Sequence, residues 1–111
     1  AVEPYSRERL EALAVEGPVF VNFSAAWCIT CKVNELAALS SDGIRLIFEE
    51  NNVTYLKADW TNEDPLITKA LSEYGRSGVP LYLLYGKGSS RASILPQILT
   101  EAIVIEAVEG L

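Results

Sequence analysis

The feature that most constrains this chain is a pair of cysteines three residues apart, Cys28 and Cys31, shortly after an apolar run at residues 19–23. The chain has no other cysteine, so the class of small folds held together by several disulfides is excluded. Histidine is absent as well, which excludes Cys–His and Ser–His catalysis. Three interpretations of the pair then stay open: a redox dithiol, two inert buried thiols, or half of a zinc site that no other Cys or His completes.

The local context of the cysteines favours the redox interpretation. Residues 19–23 are rich in β-formers and follow a Gly-Pro break, so we predict a strand there and a helix that starts at the cysteines. The first turn of a helix has unpaired N–H groups and a positive potential, which stabilise a thiolate. We therefore expect Cys28 to be the nucleophile and Cys31, one turn later, to resolve the mixed disulfide. Lys32 adds a little positive potential.

Helices and strands alternate along the rest of the chain. Ser6, Asp64 and Thr100 are expected to cap helices. Residues 86–91 are expected to form the turn of a hairpin. The predicted helices are 6–16, 28–39, 44–50, 65–74 and 100–109, and the predicted strands are 19–23, 53–58, 80–85 and 92–95. Leu36 and Leu39 are expected to face inward. This order predicts one α/β domain over residues 1–111, with a mixed sheet, an antiparallel C-terminal hairpin and helices on both faces.

Charge and hydropathy limit the classes of partner that this chain is expected to bind. The 111 residues carry a net charge of −6, so nucleic acid and anionic membrane surfaces are poor candidates. No apolar run approaches the roughly 18 residues that span a bilayer, so direct membrane insertion is not expected. The start shows no signal-peptide pattern and the chain has no methionine. Either an initiator was removed or this is a mature segment of a longer precursor, and the second case would allow a location outside the cytoplasm.

The residues around the dithiol resemble the thioredoxin superfamily, through Trp27-Cys28-x-x-Cys31-Lys32 and Gly78-Val79-Pro80. Residues 25–32, 57–62 and 75–82 are similar in particular to the C-terminal periplasmic domain of the DsbD thiol:disulfide interchange and suppressor-of-copper-sensitivity family. The resemblance implies a thioredoxin fold and a reductant in an electron relay. A membrane-embedded domain would reduce this one, which would then reduce a periplasmic acceptor domain.

The same resemblance implies a location and a set of partners. The chain would be a monomeric domain excised from a bacterial inner-membrane protein, facing the periplasm and connected with cytochrome c biogenesis. Its partners would be proteins bearing disulfides or dithiols. No bound cofactor or metal is expected, because the dithiol itself carries two electrons.

Four further residues gain candidate roles from this comparison. Pro80 would follow a cis peptide bond that places the Val79 backbone beside the dithiol, where an extended substrate could pair with it; an ordinary trans proline is the alternative. Asn22 stands where the family commonly has a buried aspartate, so it can hydrogen-bond but cannot exchange a proton. Trp27 is expected to pack beside the dithiol and shield it, with a purely structural aromatic as the alternative.

Glu35 shares a helix face with both cysteines, four residues after Cys31 and seven after Cys28. It is a candidate to accept the proton of Cys31, or to raise the thiol pKa values by charge repulsion. A solvated surface glutamate is the alternative. With Asn22 neutral, Glu35 is the only acidic candidate for this site, which predicts a simpler pH dependence than in the family.

Two other functions remain open from the sequence. One is a free-standing cytosolic thioredoxin reduced by a reductase. The other is a non-catalytic binding module in which the pair of cysteines is inert.

Overall fold

A five-stranded mixed sheet forms the centre of the molecule in the computed structural model, which describes residues 2–111. The spatial order is β1-β3-β2-β4-β5. The strands are β1 (Val2–Pro4), β2 (Val19–Ser24), β3 (Thr54–Asp59), β4 (Leu81–Tyr85) and β5 (Ala92–Ile94). All residues of β2 and β4 are buried, as expected for apolar strands covered on both faces.

The strand directions agree with the predicted mixed sheet. β2 pairs in parallel with β3, which in turn pairs in parallel with β1. β4 runs antiparallel to both β2 and β5, so the C-terminal hairpin is confirmed. The central position of β2 means that the segment leading to the cysteines is hydrogen-bonded on both sides.

Four α-helices lie between strands along the chain and a fifth follows the last strand, and their N-terminal ends follow the expected capping chemistry. They are α1 (Arg7–Glu16), α2 (Ile29–Asn34), α3 (Asp42–Glu50), α4 (Pro65–Glu73) and α5 (Glu101–Glu109). Ser6, Asp64 and Thr100 each accept hydrogen bonds from backbone N–H groups of the first turn, as predicted. Gly75 lies just beyond α4 with a φ of +71°, a conformation that favours glycine. None of the helices formed by residues 2–111 is long and apolar enough to cross a membrane.

Two hydrophobic clusters lie on opposite faces of the sheet, which confirms helices on both sides. On one face α1 and α4 pack against alternate residues of β2, β3 and β4, among them Val21, Leu56 and Leu83. On the other face α3, α5 and the end of the helix after the cysteines pack against Phe20 and Tyr82. The cysteine-bearing helix is thus held against the sheet by its own inward face.

Two features of this helix differ from the prediction. The segment after α2 is a π-helical turn, Glu35–Leu39, that continues the helix with a wider spiral. The inward position of Leu39 is confirmed, but that of Leu36 was wrong, since its side chain is 79% exposed. Leu36 lies five residues after the buried Cys31 and points away from the sheet, whereas the inward face is occupied by Asn34, three residues after that cysteine, and by Ala38 and Leu39 at the end of the π-turn.

The strand β1 was also missed. It has three residues, includes Pro4, and is recognisable only through its parallel pairing with residues of β3 more than 50 positions later.

Candidate active site

The two cysteines lie at the start of α2 and are joined as a disulfide. Cys28 is the N-cap residue, and its Sγ accepts a hydrogen bond from the backbone N–H of Cys31 at 3.2 Å. Cys28 is 7% exposed, whereas Cys31 is fully buried. Of the two cysteines, only Cys28 therefore has any surface that a partner can contact. A helix N-terminus also supplies the potential that favours its thiolate.

The loop between β2 and α2 is held by the loop that follows β3. Thr61 Oγ1 accepts a hydrogen bond from the N–H of Ala26 at 2.8 Å. Asp59 in turn accepts hydrogen bonds from both the N–H and the hydroxyl of Thr61, at 3.0 and 2.5 Å. These two bonds from Thr61 hold the pKa of Asp59 below its usual value. The loop thus fixes the backbone two residues before the nucleophile.

Trp27 belongs to the same arrangement. Its indole N–H donates to the carbonyl of Thr61 at 3.0 Å, and its ring packs on that of Trp60 at a centroid distance of 5.8 Å. The Trp27 side chain is 54% exposed, whereas Trp60 is nearly buried and donates to Thr68. Trp27 therefore presents an apolar surface next to Cys28 in sequence, and Trp60 supports it from the core side.

A polar cluster beneath the helix surrounds Glu35. Its Oε2 accepts hydrogen bonds from Asn22 Nδ2 at 3.0 Å and from Ser24 Oγ at 2.8 Å, and lies 3.4 Å from Lys57 Nζ. Asn22 also donates to the hydroxyl of Tyr55 at 2.9 Å. The Oδ1 of Asn22 is buried without a hydrogen-bond partner, so the orientation of this amide is set by its donors. The carboxylate of this cluster comes from the helix, while the central strand contributes neutral donors.

These contacts determine the charge of the cluster. Burial opposes the ionised form of Glu35, but the hydrogen bonds from Asn22 and Ser24 and the charge of Lys57 outweigh it, so the Glu35 pKa lies below its ordinary value. Burial raises the pKa of Tyr55 to about 12, so its hydroxyl stays protonated. Glu35 is therefore an anion at neutral pH, one helical turn after Cys31. Because its pKa is lowered, Glu35 is a weaker base than an ordinary glutamate and so less suited to accept the proton of Cys31, the role that the sequence suggested.

The peptide bond between Val79 and Pro80 is cis, as the resemblance implied. Val79 packs against the small buried cluster formed by Ala25 and both cysteines. The carbonyl of Pro80 accepts hydrogen bonds from Arg76 Nη1 at 3.3 Å and from Gln97 Nε2 at 3.5 Å. The structure thus brings Val79 to the dithiol and holds the backbone of Pro80 from two sides.

Several contributors to this site were not identified from the sequence. Ser24 lies two positions after Asn22 on β2 and so shares its face, a signal that strand alternation offered. Lys57 is the register partner of Asn22 on β3. Asn34 and Gln97 meet although they are 63 positions apart, and no local pattern indicates that contact.

Among residues 2–111, no group of three His, Cys, Asp or Glu side chains is arranged to hold a metal ion. The chemistry that these residues offer is that of a disulfide between a slightly accessible cysteine and a fully buried one.

Comparison with known proteins agrees with this geometry. The C-terminal domain of Neisseria meningitidis DsbD in its oxidised form is 24% identical, with 97% of each chain covered and a TM-score of 0.76. Its reduced form is 23% identical, with 99% of this chain and 98% of that chain covered and a TM-score of 0.75. A thioredoxin from Thermus thermophilus is 18% identical, over 98% of this chain and 84% of that one, with a TM-score of 0.77. These similarities show the thioredoxin fold.

No curated protein sequence matches the chain significantly. The sequence profile of a family described as thioredoxin-like, however, matches residues 2–87, which is more than half of the chain. The chain therefore belongs to the thioredoxin-like family.

Proposed function

We propose that this chain is a protein thiol–disulfide oxidoreductase that works as a reductant, relaying electrons from a membrane-embedded donor to acceptor proteins in the bacterial periplasm. The observation that carries the proposal is the pair Cys28 and Cys31 at the start of α2, joined as a disulfide, with Cys28 slightly accessible and Cys31 fully buried. This arrangement fits thiol–disulfide exchange in a thioredoxin fold.

The reaction follows from the two positions. The Cys28 thiolate attacks one sulfur of a partner disulfide, and the other partner sulfur leaves as a thiolate. The Cys31 thiolate then attacks the Sγ of Cys28, and the second partner sulfur leaves. The partner gains two electrons and the domain ends with the Cys28–Cys31 disulfide. The protons lost from the two cysteines pass to the two partner thiolates through solvent.

The surface around the dithiol supports a protein as the partner. Trp27 and Ile29, on either side of Cys28, are large apolar side chains that are more than half exposed. Exposed apolar groups that cluster around a reactive site are typical of interaction surfaces. Val79, which packs on the dithiol, adds a backbone edge at the same place.

The relay role and the periplasmic location are supported by similarity to DsbD domains and not by the geometry of the dithiol. They are supported by the residue likeness to DsbD C-terminal domains at 25–32, 57–62 and 75–82 and by the fold shared with both redox forms of one such domain. The alternative of a free cytosolic thioredoxin predicts rapid reduction of the Cys28–Cys31 disulfide by thioredoxin reductase. The relay role predicts that this enzyme reduces it slowly or not at all.

The reduction potential tests the direction of electron flow. The protein is equilibrated in glutathione buffers, and free thiols are alkylated and counted. A potential near or below about −230 mV is expected for a reductant, whereas a value near about −120 mV would make the domain an oxidant. Resistance of both reduced cysteines to alkylation under native conditions would instead favour an inert binding module.

A trapping experiment tests the nucleophile. The variant Cys31→Ser lacks the resolving thiol, so a mixed disulfide between Cys28 and a periplasmic protein should accumulate. The matched variant Cys28→Ser should trap nothing, because the remaining thiol is buried. Equal trapping by both variants would contradict the assigned roles.

A further inference from the structure

The buried side chain of Asn34 joins three separate parts of the molecule. Asn34 is the last residue of α2, three residues after Cys31, and is 1% exposed. Its Nδ2 donates to the hydroxyl of Tyr82 at 2.9 Å and to the carbonyl of Gln97 at 2.7 Å. Its Oδ1 accepts from the N–H of Leu99 at 3.0 Å. Both donor hydrogens and the carbonyl oxygen are therefore used.

The segment that Asn34 holds, residues 95–99, has no regular secondary structure and connects β5 to α5. Leu95 and Leu99 anchor it in the core, while Ile98 between the two Asn34 contacts points outward and is mostly exposed. At its start the N–H of Leu95 donates to the carbonyl of Tyr82 at 3.0 Å. Beyond that bond the segment has no helix or strand bonds of its own, so the position of residues 96–99 depends on contacts such as those of Asn34.

The same segment reaches the carbonyl of Pro80. Gln97, whose main-chain oxygen binds Asn34, donates through its side chain to that carbonyl at 3.5 Å. Tyr82, the other acceptor of Asn34, lies two residues after Pro80 on β4. Asn34 is thus linked to the Val79–Pro80 backbone by two short routes, and it stands on the same helix as both cysteines.

We propose that Asn34 is a positioning residue that sets the Val79–Pro80 edge and the exposed Ile98 relative to Cys28, and thereby favours protein disulfides over small ones. The inference rests on the proposed exchange with protein disulfides. A small disulfide needs only access to Cys28. A protein must also contact the surrounding surface, and displacement of that surface by a fraction of an ångström weakens productive binding.

The test compares the reduced wild type with Asn34→Leu, which keeps the approximate volume and removes all three hydrogen bonds. With insulin as the protein disulfide, and dithiothreitol to re-reduce the Cys28–Cys31 disulfide after each reaction, kcat/KM should fall about tenfold, mainly through KM, because the loss of the three hydrogen bonds displaces the surface that insulin contacts. With oxidised glutathione the rate should stay within about twofold, because that reaction lacks the extended contact. The amide of Leu99 should exchange its hydrogen faster, which reports release of the segment.

Two matched variants complete the design. Ile44→Val removes one methyl group from the hydrophobic cluster on the same face of the sheet but breaks none of these hydrogen bonds, so it should leave both rates unchanged although it lowers Tm. Gln97→Ala changes an exposed side chain and will fold even if Asn34→Leu does not. It removes one donor to Pro80 and should lower kcat/KM for insulin about threefold, with little effect on glutathione.

The possible outcomes distinguish a failure of the positioning role of Asn34 from a failure of the proposed oxidoreductase function. If the wild type reduced both disulfides and the Asn34 and Gln97 variants lost both activities in parallel, or lost neither, the positioning role would be overturned and the function would stand. If the wild type reduced neither disulfide, the proposed function would be wrong and the inference would fall with it.

Discussion

The contacts of Glu35 lead to a quantitative prediction for stability. The substitution Glu35→Gln keeps the size of the side chain and an oxygen acceptor but removes the charge. Hydrogen bonds to a charged group contribute about 1.5–3 kcal/mol, against about 0.5–1.5 kcal/mol for neutral pairs. The bonds from Asn22 and Ser24 would thus each weaken by about 1 kcal/mol. Lys57 adds little, because its side chain is 41% exposed.

A neutral amide is easier to bury than a carboxylate, which offsets part of this loss. We expect the free energy of unfolding to fall by about 1.5 kcal/mol at pH 7. For a chain of this size that corresponds to a Tm lower by about 6 °C.

The difference should depend on pH with a definite sign. The folded-state pKa of Glu35 lies below its ordinary value of 4.5, so the unfolded chain binds more protons in the acid range. The stabilisation by the charge is complete well above pH 4.5 and is lost as the pH falls through the folded-state value. The wild type should therefore exceed Glu35→Gln in stability at neutral pH, and the two should converge in acid.

Urea unfolding of the oxidised proteins, followed by tryptophan fluorescence between pH 3 and pH 7, measures this difference. The control is Glu49→Gln, which removes an exposed carboxylate 3.6 Å from Arg45 and should change stability little at any pH. A Glu35→Gln protein as stable as the wild type at pH 7, or a difference that does not change with pH, would refute the reasoning.

Three further predictions follow from other contacts. Thr61→Val removes the acceptor for the N–H of Ala26 and should lower the free energy of unfolding by about 1 kcal/mol, measured by urea unfolding, and slow thiol exchange. Asp64→Ala removes the cap of α4 and should lower the same free energy by about 1 kcal/mol without changing the exchange rate. The alkylation rate of reduced Cys28 should follow a single ionisation with pH, since Glu35 is already ionised near neutrality; two coupled ionisations that persist in Glu35→Gln would contradict this.

The elements of the fold that can be predicted from the sequence are those determined by residues close together in the chain. Ser6, Asp64 and Thr100 cap helices through bonds to residues two or three positions later, so the sequence alone indicates where these helices begin. The apolar run that became β2 is likewise a local signal. β1 has no comparable signal, because its three residues become a strand only by pairing with β3.

The candidate site divides in the same way. The dithiol, with Cys28 slightly accessible and Cys31 fully buried, follows from its place before a helix. The lowered pKa of Glu35 does not follow from the sequence, because its carboxylate is held by Ser24 and Lys57, which lie on two different strands. Helical spacing places Glu35 on the same face as both cysteines, but only the folded structure shows which groups contact its carboxylate and hence the direction of its pKa shift.

The π-helical turn at Glu35–Leu39 has a consequence for the length of the chain. In an α-helix each residue advances by about 100°, so deleting one residue rotates everything beyond it onto another face. A π-turn contains one residue more than an α-helical turn of the same span. Removal of the exposed Leu36 would let the segment close into an ordinary α-helix, with Ala38 and Leu39 still directed at the sheet. This turn is therefore where the helix can lose a residue while the dithiol at one end and the Ser41 cap at the other keep their orientation.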